Sequence, residues 1–177
     1  LIYAAEEGNT AVIDILLKNG ANVNAQDGDG GSALMYAAED NSTAVVDTLL
    51  KNGADSNAHS KAGITPLMYA AMGGSTAVID TLLKNGADVN AQSKFGQTAL
   101  MITAVMSSKA FAALLSTPGI NINAQDNNGS TALMEATKVN KKSVVSALKK
   151  AGANVNLKNK EGKTAAMIAA ENQENDK

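Results

Sequence analysis

The stretch Gly63-Ile64-Thr65-Pro66-Leu67-Met68-Tyr69-Ala70-Ala71, with Leu82-Leu83-Lys84-Asn85-Gly86-Ala87-Asp88-Val89-Asn90-Ala91 shortly after it, decides how the rest of the chain is read. Thr65 offers a hydroxyl N-cap. Pro66 follows at the first helical position, where a missing N–H costs nothing. Leu67, Met68, Ala70 and Ala71 then share one apolar helical face. Gly74-Ser75 breaks that helix, and Ser75 or Thr76 can cap a second one. Val78, Ile79, Leu82 and Leu83 recur at helical spacing, and Asn85-Gly86 closes the segment with a glycine suited to the left-handed cap. From Ala87 to Gly96 the chain is polar and rich in turn residues, which predicts an extended loop or hairpin.

The same pattern recurs along the whole chain. Gly20, Gly53, Gly86, Gly119 and Gly152 are spaced by 33 residues, as are Asn24, Asn57, Asn90, Asn123 and Asn156. Leu1, Leu34, Leu67, Leu100 and Leu133 keep the step, with Ala166 ending the series, and Gly30, Gly63, Gly96, Gly129 and Gly162 form a fourth ladder. Self-similarity of this period is the signature of a stacked repeat. Each predicted helix is shorter than the ~12–15 residues an isolated helix needs, so each must bury its apolar face against neighbouring repeats.

These residues resemble the ankyrin repeat family, and the resemblance covers nearly the whole chain in phase. It implies an all-α solenoid of helix-turn-helix units joined by β-hairpin-like loops. One domain, 1–177, is expected, with units 1–26 (partial), 27–59, 60–92, 93–125, 126–158 and 159–177 (partial). The family usually has His where this chain carries Met35, Met68, Met101, Met134 and Met167. The reading of that ladder is core filling by a flexible thioether rather than a metal stripe, because no His or Cys stands with it. Ala33, Ala99, Ala132 and Ala165 replace the family's Pro, and Ala is a fair helix former. The fourth unit carries Phe111-Ala112-Ala113 and then Ser116-Thr117-Pro118-Gly119-Ile120, so its second helix is expected to end early or bend. The last unit has no second helix, and Glu171–Lys177 is expected to fray. The chain opens at Leu1 rather than Met, inside a first helix, and is read as a segment cut from a longer array or a chain whose ends are not shown.

Composition narrows the function classes. Of 177 residues, 45% are hydrophobic and 18% charged, which excludes a disordered tail. There is no Cys and one His, so disulfide frames, thiolate metal sites and most acid–base dyads are excluded. No apolar run approaches the roughly 18 residues of a membrane helix and no secretory signal is visible, but the chain opens at Leu1, so the compartment is left undecided, with a soluble, cytoplasmic protein as the working expectation. Asn41-Ser42-Thr43 and Asn128-Gly129-Ser130 fit the glycosylation sequon, which matters only for a secreted protein.

Motifs that look chemical lack their context. Gly28-Asp29-Gly30-Gly31-Ser32-Ala33 fits a loose dinucleotide pattern, but Gly30 is the turn glycine of every repeat and no parallel strand precedes it. Gly162-Lys163-Thr164 mimics the end of a phosphate loop, yet Leu157 stands where the first glycine is needed. Asp27-Gly28-Asp29-Gly30 opens like a calcium loop, but Ala38 replaces the bidentate acid. His59 falls at a hairpin stem where other repeats have Gln92 and Gln125. No catalytic set, cofactor or metal is therefore expected.

What the resemblance implies is a groove that binds other proteins, lined by the first helix of each unit beside the hairpin tips. There the sequence offers Glu39 and Asp40, then Met72 and Gly73, then Val105 and Met106, then Lys138 and Val139. Met72, Val105 and Met106 stand where other repeats are polar. Phe95 falls at a loop tip where others carry Asp29, Ala62, Asn128 and Glu161. These four, with Lys61, Ile64, Lys94 and Gln97 from neighbouring hairpins and Lys138 at the flank, form the candidate partner-binding site. Tyr36, Tyr69 and Ile102 are expected to be partly buried between repeats.

Charge is divided along the chain: residues 1–92 carry 4 Lys and 11 acids, and residues 93–177 carry 11 Lys and 6 acids. The expectation is a monomeric, non-catalytic scaffold for a partner protein, with no small-molecule substrate, nucleic acid or membrane. Two alternatives follow from the same residues. One is a targeting or regulatory segment of a larger enzyme or effector. The other is electrostatic binding of nucleic acid or anionic membrane by the Lys-rich half, against which stands the lack of aromatics to stack a base.

Overall fold

The structure, a computed structural model, describes residues 1–106 and 108–175, with side chains at 1–106 and 109–172. Among these residues there are only helices and turns, and one isolated bridge between Gln26 and Ser32 in place of a regular hairpin. The first helices of successive units are α1 (Ile2–Glu6), α3 (Ala33–Glu39), α5 (Pro66–Gly73), α7 (Ala99–Met106), α9 (Ala132–Lys138) and α11 (Ala165–Asn175). The second helices are α2 (Thr10–Lys18), α4 (Thr43–Lys51), α6 (Thr76–Lys84), α8 (Ser108–Leu115) and α10 (Lys142–Lys150). First helices pack on first helices and second helices on second, and the first-helix row is the more closely packed. The extensive helix contacts join members of one unit or of adjacent units, which is the all-α solenoid read from the sequence.

Local chemistry sets the helix ends. The Thr65 hydroxyl accepts the N–H of Met68 at 3.3 Å, with Pro66 at the first position, and Ser75, not Thr76, caps α6 through the N–H of Val78. Gly74 closes α5 at φ 77°, a left-handed backbone that glycine takes at no steric cost. Asn41 and Asn140 hold the equivalent conformation at φ 60° and 55°, as only Asn and Asp do with some ease.

One continuous apolar core runs between the two rows. Leu34, Leu67, Leu100 and Leu133 are buried, and so are Met35, Met68, Met101 and Met134, so the methionine ladder is core. Truncating one such leucine would cost about 2–5 kcal/mol. Met167 on α11 is half exposed, since no described unit stacks beyond it. Tyr36 and Tyr69 are half-buried, with ring centroids 6.1 Å apart, and Ile102 is buried, as expected. Helix α8 ends at Leu115, two residues short of its register position, as the sequence predicts, and it packs only lightly on α10. Helix α11 runs to Asn175, into the polar stretch expected to fray. Lys163 holds Glu171 at 3.0 Å, and the Asn172 side chain donates to the carbonyl of Thr137 at 2.9 Å. Residues 176 and 177 lie outside the described residues.

Side chains on the loop edge tie each unit to the next. Asn24 donates to the carbonyl of Gly53 and accepts the N–H of Asp55, at 3.1 and 2.8 Å. Asn57 does the same to Gly86 and Asp88, and Asn90 to Gly119 and Asn121. At the loop tips the N–H of Lys61, Lys94, Asn127 and Lys160 donates to the carbonyl of Asp29, Ala62, Phe95 and Asn128 respectively. Backbone groups that a loop would leave unpaired are thus satisfied by the neighbouring repeat.

Candidate functional site

The first-helix row leaves a concavity of about 510 Å³ between α5 and α7, open to solvent. Its apolar side is made by Met72, Ile102, Val105 and Met106, backed by Met101. Gln97 reaches it from the preceding loop, and Glu39, Asp126 and Glu135 bring carboxylates to its lining. Four of the expected residues, Met72, Gln97, Val105 and Met106, therefore come together in one place. Met106 is 57% exposed, while Met72 and Val105 are half-buried.

The other expected residues stand outside that lining. Phe95 is 63% exposed at its loop tip, where its backbone is held by the hydroxyl of Ser93, which accepts its N–H at 3.2 Å, and by the N–H of Asn127, which donates to its carbonyl. Lys61 and Lys94 are exposed on the same edge and held through their backbone N–H groups. Ile64 is half-buried and packs against the core, so it contributes less free surface than the sequence pattern suggests. Lys138 adjoins the concavity, but its ammonium sits 2.6 Å from Glu135 and 3.2 Å from the hydroxyl of Ser130. The basic flank expected there is thus a locally neutral ion pair.

What the sequence pattern did not reveal is Gly73. It occupies the place of Asp40, Met106 and Val139 in the other units. A Cβ on it would run into the main-chain carbonyl of Glu39, and its own carbonyl accepts from the side chain of Asn41 at 3.0 Å. The glycine thereby draws α5 close to α3 and leaves the floor open beside Met72. A glycine in a ladder of larger residues was the available signal, but the close approach depends on the neighbouring backbone.

Next to this site the electrostatics are acidic. Tyr36 donates its hydroxyl to Asp27 at 2.6 Å, and Gly31 makes room for the ring, since a Cβ there would strike it. That hydrogen bond, together with the N–H groups of Gly31 and Asp29, holds the Asp27 carboxyl below its ordinary range. The same bond pushes the Tyr36 phenol up to about 12. Tyr69 is raised by burial and then by the charges of Glu39, Asp27 and Asp29.

A second concavity, of about 520 Å³, lies between α10 and α11 and includes Lys142, Val145, Lys149 and Asn172. Val145 holds the register position of Ile79, which is fully buried where α8 follows α6. This hollow is therefore the uncovered end of the second-helix row. Val12 and Ile15 on α2 are exposed at the opposite end for the same reason, whereas the equivalents of Val12, Val45 and Val78, are buried. Among the described residues no group of three His, Asp or Glu could hold a metal ion, no buried side-chain polar atom lacks a partner, and no helix is long and apolar enough to cross a membrane.

A family model described as ankyrin repeats (3 copies) matches residues 1–93, 34–126, 88–159 and 110–176 in overlapping placements. A search of the curated proteins found no match.

Proposed function

The chain belongs to the ankyrin repeat family, whose repeats are generally protein–protein interaction modules, and on that premise we propose that it is a non-catalytic scaffold binding a partner protein through its groove and loop tips. Ankyrin repeat proteins are typically non-enzymatic. Residues 1–177 are read as one such domain, divided at 27, 60, 93, 126 and 159, and acting as a monomer without a cofactor.

The observation that carries the reading is the pair Phe95 and Met106. Both are more than half exposed, and both belong to the unit 93–125 inside the stack, unlike Tyr3, Ile15 and Met167, which are exposed in its two end units. Exposed aromatic and Met side chains are what an interface needs, with polar groups around them to exclude water. Met72 and Val105 extend that centre, Lys61, Ile64, Lys94 and Gln97 supply the loop edge, and Lys138 stands at the flank. The chain has neither Arg nor Trp, two of the residue types richest in interface hot spots, so moderate affinity is expected unless the contact is long.

The test compares proteins captured from the source cells by the wild-type chain and by the Phe95→Ala/Met106→Ser variant. A partner lost by the variant, with binding weakened by more than ~2 kcal/mol in titration and the helical circular dichroism unchanged, supports the reading. Equal affinity for both would move the site elsewhere, first to the Lys-rich half.

A further inference from the structure

The three carboxylates at the α5–α7 concavity differ in what they are free to do. Asp126 turns one carboxylate oxygen into its own loop, where it accepts the N–H groups of Asn128 and Ser130 at 2.9 and 2.8 Å, and it too is without a cationic partner among the described residues. Glu135 is held by Lys138 at 2.6 Å. Glu39 is exposed and has no cationic partner among the described residues. It stands at the end of the concavity where Gly73 leaves space, facing the half of the chain with 4 Lys and 11 acids. The concavity therefore combines a methionine-rich floor with an unneutralised acid at one end. Its cation, Lys138, is already engaged at the other.

We propose that this concavity takes an extended or helical segment of a partner protein in which an aliphatic side chain, Leu, Ile or Met, lies next to a Lys or Arg. The aliphatic group seats on Met72, Val105 and Met106, and the cation pairs with Glu39. This deepens the groove reading above and rests on it. Charge complementarity selects the occupant: an acidic rim repels phosphate-rich nucleic acid and anionic lipid, and it orients a basic segment. About 510 Å³ is within the range of clefts that hold drug-sized ligands, so it admits more than one peptide side chain. Methionine adapts its shape to different aliphatic groups, so the aliphatic position is tolerant and the charge beside it discriminates.

The test uses the whole chain and synthetic peptide arrays. In these a central Leu or Met is flanked by Lys or Arg, by Ser, or by Glu, and the remaining positions are randomised. Cationic-flanked peptides should be retained about tenfold more strongly than Ser-flanked ones, the change expected of one charge-assisted contact. Retention should fall as salt is raised. Glu39→Gln should cut the cationic-to-Ser ratio at least threefold, and Val105→Ser/Met106→Ser should lower retention of every class, with helical content unchanged in each variant. Equal or better retention of Glu-flanked peptides, or no retention of any class, overturns the proposal. If the preferred peptides are neutral or acidic yet are lost on Val105→Ser/Met106→Ser, the proposed chemistry fails while the groove reading stands. If retention is indifferent to Val105→Ser/Met106→Ser and to Phe95→Ala/Met106→Ser, both fail.

Discussion

Gly73 lies against the main-chain carbonyl of Glu39 with no room for a methyl group between them. Alanine at this position must push α5 away from α3. Gly73→Ala is expected to lower stability by about 1–3 kcal/mol, the usual cost of overpacking a tight contact. The adjacent Gly74→Ala should cost about 1 kcal/mol for a different reason, the left-handed backbone at φ 77°. Urea denaturation of both variants checks this, and a neutral Gly73→Ala would mean that the helix approach is soft.

The asparagine ladder should have a measurable energy. Asn57→Ala removes one bond to the carbonyl of Gly86 at 2.8 Å and one from the N–H of Asp88 at 2.7 Å. A net loss of about 1–3 kcal/mol is expected for the two. The amide of Asp88 should exchange faster with solvent. Asn156→Ala is the control, because among the described residues that side chain reaches no further unit. A change below about 0.3 kcal/mol in Asn57→Ala would assign the ladder no energetic role.

Helix α8 should be the least protected of the second helices inside the stack. Thr117 and Pro118 stand where α6 has Lys84 and Asn85, and the hydroxyls of Ser116 and Thr117 bond back to the carbonyls of Ala112 and Ala113 instead of letting the helix run on. A groove of about 230 Å³ remains beside Phe111, Leu115 and Val144. Amide exchange should be faster over residues 110–119 than over 77–86. Ser116→Leu/Thr117→Lys/Pro118→Asn should lengthen α8 and raise stability by about 0.5–2 kcal/mol. Equal protection of the two helices would contradict this.

The Tyr36–Asp27 bond predicts a pH dependence. Asp27 has its folded pKa depressed below 3.8, so its contribution is present above that value and is lost as pH falls through the lower folded one. Tyr36→Phe should return the carboxyl toward its ordinary range in a carbon-detected NMR titration. The melting-temperature gap between the wild type and Tyr36→Phe should stay level from about pH 7 to 5 and shrink below about pH 4. A gap independent of acid pH would show that the ring, not the hydrogen bond, stabilises this unit.

The repeat and its phase were legible because they rest on local chemistry that each unit restates: Thr65 and Pro66 start a helix, Gly74 and Gly86 stop one, and Leu67 and Leu82 mark its buried side. The early end of α8 was legible in Ser116-Thr117-Pro118-Gly119-Ile120, a stretch that cannot continue a helix. What stayed hidden depended on side-chain placement that no ladder position states. Lys138 reads as a free cation until Glu135 is placed one helical turn before it with the right rotamer. Ile64 reads as loop surface until the core is seen beneath it. The polar run after Ala170 reads as a fraying end, but Glu171 and Asn172 find partners outside their own helix. Of the site, the apolar residues were readable as exceptions in their ladders, whereas the floor that Gly73 opens was not.

The side-chain and backbone bonds that link successive loops also set how the stack can flex. Along that edge each unit is tethered to the next by bonds that stretch little before they break. Behind it, the second helices touch through side chains that can slide, and least firmly between α8 and α10. The solenoid is thus a strip with one inextensible margin and one compliant margin. A partner that straightens or tightens the stack is expected to act first at the α8–α10 seam, the most loosely packed step of the second-helix row, while the loop edge keeps its spacing.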